Sequence, residues 1–336
     1  MKRTAIFGLL LFVSTLTGVF SQSRNVTIKI GSIAPEGSPW DTTLKRLGAE
    51  WKEISNGSVT LKVFPNGSQG DEPDMIRKMR FNQLDAAAVT TMGLNRISSS
   101  FLILSLPMLF KDDAELDYVM DRMKPEFEEI FEQEGFTIIA WTMAGWVDFF
   151  SKKPILYPED LKKQRLAVSK GDAELEQAWK SLGFNVRPVE TMETLTALQN
   201  KMVDAFYTAP LVALSYQWFA LAKNMFDYPV APMIGGLVVS TRTWEKIPED
   251  LRPQLLEAAE RIVAPLYGET KKLEKDAIQL MVANGLNIVK ATPEAVKAWE
   301  TDLKAGYQAV IGKSISQDIF DSVNGYLAQY RTSKGN

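Results

Sequence analysis

From Asn25 onward, short apolar runs with strand periodicity alternate with longer stretches in which apolar residues recur every three or four positions. VTIKIGSI, beginning at Val26, reads as a strand and APEGSPW as a loop. LKRLGAEWKEI then carries the spacing of an amphipathic helix that Asp41 can cap. SNGS marks a turn, VTLKVFP a second strand, NGSQGDEPD a second loop, MIRKMRF a helix and LDAAAVTT a third strand. This β-α-β-α-β order predicts an open α/β sheet with ligand positions outside the carboxyl ends of its strands, at residues 33–40, 65–71 and 90–93.

Further along, FLILSLPMLF is too short and too interrupted by proline to span a membrane, so burial is expected. A helix over 112–133 leads into GFTIIAWTMAGWVDFF, a single long strand able to cross between lobes. Pro158 opens a short helix that ends in a buried strand at 165–168. Helices at 173–182 and 192–200, strands at 185–188 and 203–207, and a helix from Pro210 follow. The strand at 235–240 is expected to return to the first lobe as a second crossing. The helix after it carries one apolar stripe, Leu251, Leu255, Ala258, Ala259 and Ile262. The rest, 271–330, is mostly helical with a break at GLNIVKATPEA, and no internal repeat is visible.

The first residues change where the protein is expected to work. Lys2 and Arg3 precede an apolar core at 5–20, and the small residues Ser21 and Ser23 follow, the pattern of an export signal cleaved after Ser23. That core falls short of the roughly 20 apolar residues of a membrane anchor. With no cysteine, attachment of a bacterial lipoprotein lipid is ruled out. The mature chain, from Arg24, is expected to be exported and soluble.

Composition narrows the chemistry. The 336 residues suffice for two domains, and a net charge of −3 gives no basic footprint for nucleic acid. Absence of His and Cys excludes disulfides, thiolate nucleophiles, histidine bases and the usual zinc sites. Nucleotide-loop, α/β-hydrolase and calcium-loop motifs are missing as well, so neither cofactor nor metal is expected. Asp71, Glu72 and Asp74 read as carboxylates at a helix N-terminus rather than a metal cluster. The Asn-x-Ser/Thr triplets at Asn25, Asn56 and Asn66 match the glycosylation pattern, and turn chemistry explains the last two better. Among the aromatics at strand ends and crossings, Trp40, Trp146, Phe206 and Tyr207 are candidate ligand contacts, whereas Phe149 and Phe150 are assigned to the core.

The segments GSIAPEGSPW, LPMLFKD, GWVDFFSKKPI, PEDLKKQRLAV, TALQNKMVDA and TWEKIPEDL, in this order, resemble the DctP-type solute-binding proteins of TRAP transporters over nearly the whole mature chain. The resemblance implies an α/β, two-domain periplasmic-binding-protein-like fold with crossing strands at the hinge and long C-terminal helices. The expected division is 24–146 with 234–273 as one domain, and 147–233 with 274–330 as the other. It also implies membrane permease subunits as partners, with the solute held between the lobes. The pattern is similar to the branch associated with periplasmic tetratricopeptide-repeat proteins, which adds such a protein as a partner.

At the solute site the chain departs from the family pattern. The family's K-I-R-V strand, whose Arg holds the solute carboxylate, stands here as Arg165-Leu166-Ala167-Val168, so Ala167 takes the Arg position. The G-F-R of the first crossing is Gly145-Trp146-Val147, placing Val147 at another Arg. Thr208 takes an amide position and Thr191 an aromatic one, while Thr90 and Gly235 match further pocket positions. A carboxylate in such a cleft would lack the bidentate partner that offsets its desolvation. The expected ligand is therefore apolar or amphipathic, contacting Trp40, Thr90, Trp146, Val147, Ala167, Thr191, Phe206, Tyr207, Thr208 and Gly235. Two alternatives stay open besides loss of binding at this site. One is an organic acid held by a displaced Arg96, Arg77 or Arg187; the other is an exported hydrolase using carboxylates such as Glu36 and Asp148.

Overall fold

A computed structural model of the protein describes residues 25–170 and 173–335; the expected signal sequence, its cleavage after Ser23 and the start at Arg24 lie outside them. Strand β1 (Val26–Ser32) pairs in parallel with β2 (Val59–Phe64) on one side and β3 (Ala86–Thr90) on the other. Alternation buries Val26, Ile28 and Ile30.

Helix α1 (Pro39–Ile54) follows β1, and its cap is Ser38, whose hydroxyl accepts from the Asp41 N–H. Asp41 is thus not the cap. It lies one turn in, fully buried, accepting from the Gly37 N–H at 2.8 Å and pairing with Lys45 at 2.8 Å. Asp71 caps α2 (Glu72–Arg80), as a helix-terminal carboxylate should. Helix α3 (Thr91–Ile97) starts directly after β3, an element the sequence reading left out because Thr-Met-Gly-Leu-Asn has little helical pattern. The run after it forms a 3₁₀ turn, Ser99–Ser105, that buries Phe101, Leu102, Ile103 and Leu104 against α4 (Asp113–Gln133).

Strand β4 (Phe136–Ser151) is the long crossing strand. Beyond it come α5 (Pro158–Lys162), β5 (Arg165–Ser169), α6 (Ala173–Ser181), β6 (Asn185–Val189), α7 (Thr194–Gln199), β7 (Ala205–Thr208) and α8 (Pro210–Ser215). The helix expected from residue 192 begins later, after a 3₁₀ turn at Thr191–Glu193, and the strand expected from 203 begins at Ala205. A short strand β8 (Asn224–Asp227) was not anticipated; four residues between polar and proline-containing flanks give too little pattern. Strand β9 (Ala231–Ser240) returns antiparallel to both β4 and β3, giving the order β2-β1-β3-β9-β4-β7-β5-β6. Strand β4 thus runs out of one lobe's sheet, where it pairs with β9, and into the other's, where it pairs with β7 and β8.

After α9 (Thr241–Trp244), helix α10 (Arg252–Ala283) ties both lobes. Its stripe Leu255, Ala258, Ala259 and Ile262 is buried on the β1 side, with Leu251 half-buried just before the helix, and Met281 joins a cluster with Phe150 and Phe206. Strand β10 (Asn287–Lys290) pairs with β8, and α11 (Pro293–Ala305) buries Trp299 against Phe149 and Phe184. Helix α12 (Gln317–Ser333) then lays Ile319, Val323 and Leu327 into the cluster built around Phe101, Phe127 and Phe131.

Its far end is fixed by Arg331, which donates to both oxygens of Glu115 at 2.7 Å and to the Leu109 carbonyl at 3.0 Å. Arg331→Met would leave the Glu115 carboxylate, 4% exposed, without its counter-charge. The substitution should lower the unfolding free energy by about 3 kcal/mol, measured by urea titration, whereas a loss under about 1 kcal/mol would mean the pair is solvated.

Candidate functional site

The carboxyl ends of β1 and β3 face those of β5 and β7 across a cavity of about 290 Å³. From the first lobe it is lined by Trp40, Thr90 and Gly235, and from the second by Ala167, Thr191, Phe206, Tyr207 and Thr208. Val147, on the crossing strand, lines it too. These residues were singled out from sequence, and the fold brings them to one space.

Trp146 is the exception. It is absent from the lining, packs at the edge of the Phe101 cluster, and donates through Nε1 to Asp113 at 2.6 Å. The cause is a register shift in β4 between Met143 and Gly145, where Gly145 has φ +124°. Thr142 and Ala144 line the cavity before it and Val147 and Phe149 after it, so the extra residue turns Trp146 to the opposite face. The positive φ at Gly145 favours glycine, and a Cβ there would also require the Glu274 carboxyl end to move. The same shift explains Phe149, which belongs to the core but also forms cavity wall.

Sequence reasoning missed Glu72. It is wholly buried, lines the cavity, and with Oε2 accepts from Thr90 N–H at 2.9 Å, Thr90 Oγ1 at 3.0 Å and Gly93 N–H at 2.8 Å; Oε1 has no partner. Burial pushes its carboxyl up to about 8, with Asp71 adding to the rise and the three donors opposing it. An acid at a helix start is normally solvated, and only the packing of α2 against β3 and α3 turns this one inward. Among the described lining residues it is the one carboxylic acid, and none of them is arginine or lysine.

The arginines considered as stand-ins lie elsewhere. Arg77 pairs with Asp74 at 2.7 Å, Arg187 donates to Asn185 Oδ1 at 2.7 Å, and Arg96 is exposed. Arg165, next to the key strand position, is held by Asp204 through bonds of 2.6 and 2.8 Å. Glu36 and Asp148 are not brought together: the first is exposed beside Lys45, and the second is buried near Glu274. Among the described residues no group of carboxylates could hold a metal ion, and no helix is long and apolar enough to cross a membrane.

The lobes also bond directly across the cleft. The Thr191 N–H donates to Asp71 Oδ2 at 2.7 Å, and the Tyr216 hydroxyl donates to the Ile33 carbonyl at 2.5 Å. Asp71 thereby serves at once as helix cap and as a link to the other lobe.

Residues 30–313 match the model of the DctP family, described as bacterial extracellular solute-binding protein, family 7. The chain is 23% identical over 289 residues to the C4-dicarboxylate-binding periplasmic protein DctP of Vibrio cholerae, covering 86% of this chain and 85% of that one. It is 25% identical over 298 residues to a solute-binding protein of Roseobacter denitrificans, covering 85% and 90%. Its fold is similar to that of a TRAP periplasmic solute-binding protein from Xanthobacter autotrophicus with bound β-D-galacturonate, with a TM-score of 0.81, 22% identity, and coverage of 90% of this chain and 99% of the other. A second solved relative, from Sulfurospirillum deleyianum with bound succinate, has a TM-score of 0.80, 23% identity and the same coverage.

Two outcomes are expected from the site geometry. Glu72, Glu274 and Asp148 all have carboxyls raised by burial, to about 8 and about 7 for the first two. From about pH 5 to 8 the unfolded chain releases protons that the folded chain keeps, so stability should fall as pH rises through that window. Glu72→Gln should reduce the slope by up to about 1.4 kcal/mol per pH unit in urea titrations, and an unchanged slope would contradict a protonated Glu72. Separately, Tyr216→Phe removes one bond across the cleft and should favour the open form by about 1 kcal/mol, visible as a larger radius of gyration in solution scattering; an unchanged radius would show the bond has no part in closure.

Proposed function

We propose that this chain, which belongs to the DctP family of bacterial extracellular solute-binding proteins, family 7, serves as the exported receptor of a TRAP-type transporter and carries an apolar or amphipathic solute. It would close its lobes on the solute and deliver it to membrane permease subunits. The relatives with known ligands bind sugar acids and dicarboxylates, and the receptor role is taken over from them. Their ligand class is not.

The observation that carries this reading is the charge of the wall. Ala167 and Val147, which the sequence resemblance matches to Arg positions of the family, both line the cavity. A dicarboxylate brought there would meet no cation among the described residues and would face Glu72. Its desolvation would then cost several kcal/mol with nothing to offset it. Apolar burial, at about 0.8 kcal/mol per methylene, suits Trp40, Phe149, Val189 and Phe206 far better. A volume near 290 Å³ lies at the lower end of small-molecule pockets, roughly 300–1,000 Å³, and favours a compact ligand. A tetratricopeptide-repeat partner rests on sequence resemblance alone.

The acid-binding reading is kept as the competitor because of the relatives' ligands. Native mass spectrometry and organic extraction of the purified exported protein should recover a lipophilic molecule. Titration with succinate and galacturonate, followed by tryptophan fluorescence, should show no binding below millimolar concentration. Tight binding of either acid would refute the apolar reading while leaving the receptor role intact.

A further inference from the structure

Two loops of the first lobe reach across to the second, and they are also tied to each other. The loop after β1, residues 33–38, offers the Ile33 carbonyl to the Tyr216 hydroxyl. The loop after β2, residues 65–71, offers Asp71 Oδ2 to the Thr191 N–H. Next to Thr191, Met192 lies over the bare face of Gly67, where a Cβ would stand 3.2 Å from Met192 Cγ.

The tie is made at Asn66. Its N–H donates to the Ala34 carbonyl and the Gly67 N–H to the Ser32 carbonyl, each at 3.0 Å. Its side-chain Oδ1 accepts from the Glu36 N–H, also at 3.0 Å. Folding back in this way uses left-handed backbone, with φ +59° at Asn66 and +63° at Gly67, and asparagine adopts that region more readily than most residues with a Cβ. The Asn-Gly pair is therefore more than a turn between β2 and α2, since it joins the two loops that carry the contacts across the cleft. Ile33, Ala34, Thr191 and Tyr216 all line the cavity, so the junction stands at its edge.

Resting on the receptor reading above, in which the lobes close on a solute, we propose that Asn66 is a positioning residue for closure: it holds the two loops as one plate, so that the Ile33 and Asp71 contacts with the second lobe form and break together. A loop attached only at its ends would peel from the cleft by itself and expose the cavity at that edge. Bonds between the loops remove that freedom and spare the closing lobes the entropy of ordering each acceptor separately. Asn66 acts through Ile33 and Asp71 and needs no contact with solute.

The Thr191 N–H reports the result, because it lies in the second lobe and its acceptor, Asp71, lies in the first. Amide hydrogen exchange of the mature chain at pH 7 should show it protected, and Asp71→Asn, which keeps an oxygen for the helix cap but places an NH₂ toward Thr191, should release it. Asn66→Gly accepts the left-handed turn and deletes only Oδ1, so Thr191 should exchange about threefold faster. Asn66→Asp keeps both the acceptor and the tolerance for that φ, and should restore the slow rate. Faster exchange at Glu36 with Thr191 unchanged would confine Asn66 to its own loop and overturn the proposal, as would equal acceleration in the glycine and aspartate variants. An unmodified chain whose Thr191 already exchanges at the Asp71→Asn rate would also overturn it. The measurement needs no solute, so each of these failures leaves the receptor reading, which solute binding tests, where it stands.

Discussion

The pairing of β4 with β9 is the constraint on which the rest of the structure depends. The two strands stay antiparallel from Phe136 opposite Ser240 to Val147 opposite Ala231, and β4 then continues into the other lobe's sheet, where Asp148–Ser151 pair with β7. Everything that forms the cleft is aimed by that ribbon. It sets β3 and its terminal Thr90 on one side and β7 with Phe206 and Tyr207 on the other. The ribbon is not regular, and its irregularity matters as much as its length. At Gly145 the extra residue exchanges the two faces of β4, so the same strand supplies Thr142 and Ala144 before the shift, and Val147 and Phe149 after it, to one cavity.

Direct bonds between the lobes, at Asp71 with Thr191, at Tyr216 with Ile33 and at Met92 with Ser169, supplement the ribbon. Each contributes on the order of 1 kcal/mol, well within what a ligand's differential contacts can add or a few lost contacts remove. Closure is therefore weakly biased by the protein itself. A receptor built this way can still respond to its ligand, because the ligand's own burial is large compared with that bias.

Much of this was legible in the sequence, and the reasons are specific. The alternation in VTIKIGSI, the unbroken length of GFTIIAWTMAGWVDFF and the stripe Leu255–Ala258–Ile262 each report a local periodicity that tertiary packing left in place. Trp146 and its neighbour Val147 were both placed in the cleft from their position in the crossing strand, whereas the bulge at Gly145 leaves only Val147 on the cavity face; a glycine inside a strand is itself a signal for a bulge. Asp41 was misread as the cap because Ser38 lies before Pro39, where the true helix start falls. Short elements such as β8 and α3 carry too few residues to display a period at all.

Glu72 could not be read this way, because nothing local distinguishes it. Asp71, Glu72 and Asp74 form one acidic group at a helix start, yet Asp71 caps the helix and reaches Thr191, Asp74 pairs with Arg77 at the surface, and Glu72 is carried wholly inward to the cavity wall. That difference is made by Thr90 and Gly93, more than fifteen residues away in sequence, whose donors converge on one carboxyl oxygen. A buried acid so held must be neutralised or partnered, and the wall around it has no cation to do so. Proton uptake is the remaining route, and burial accordingly drives the carboxyl toward its neutral form. The electrostatics of the cleft are thus set by burial: among the described lining residues the one carboxylic acid is held toward its neutral form, and the side chains around it are mostly apolar.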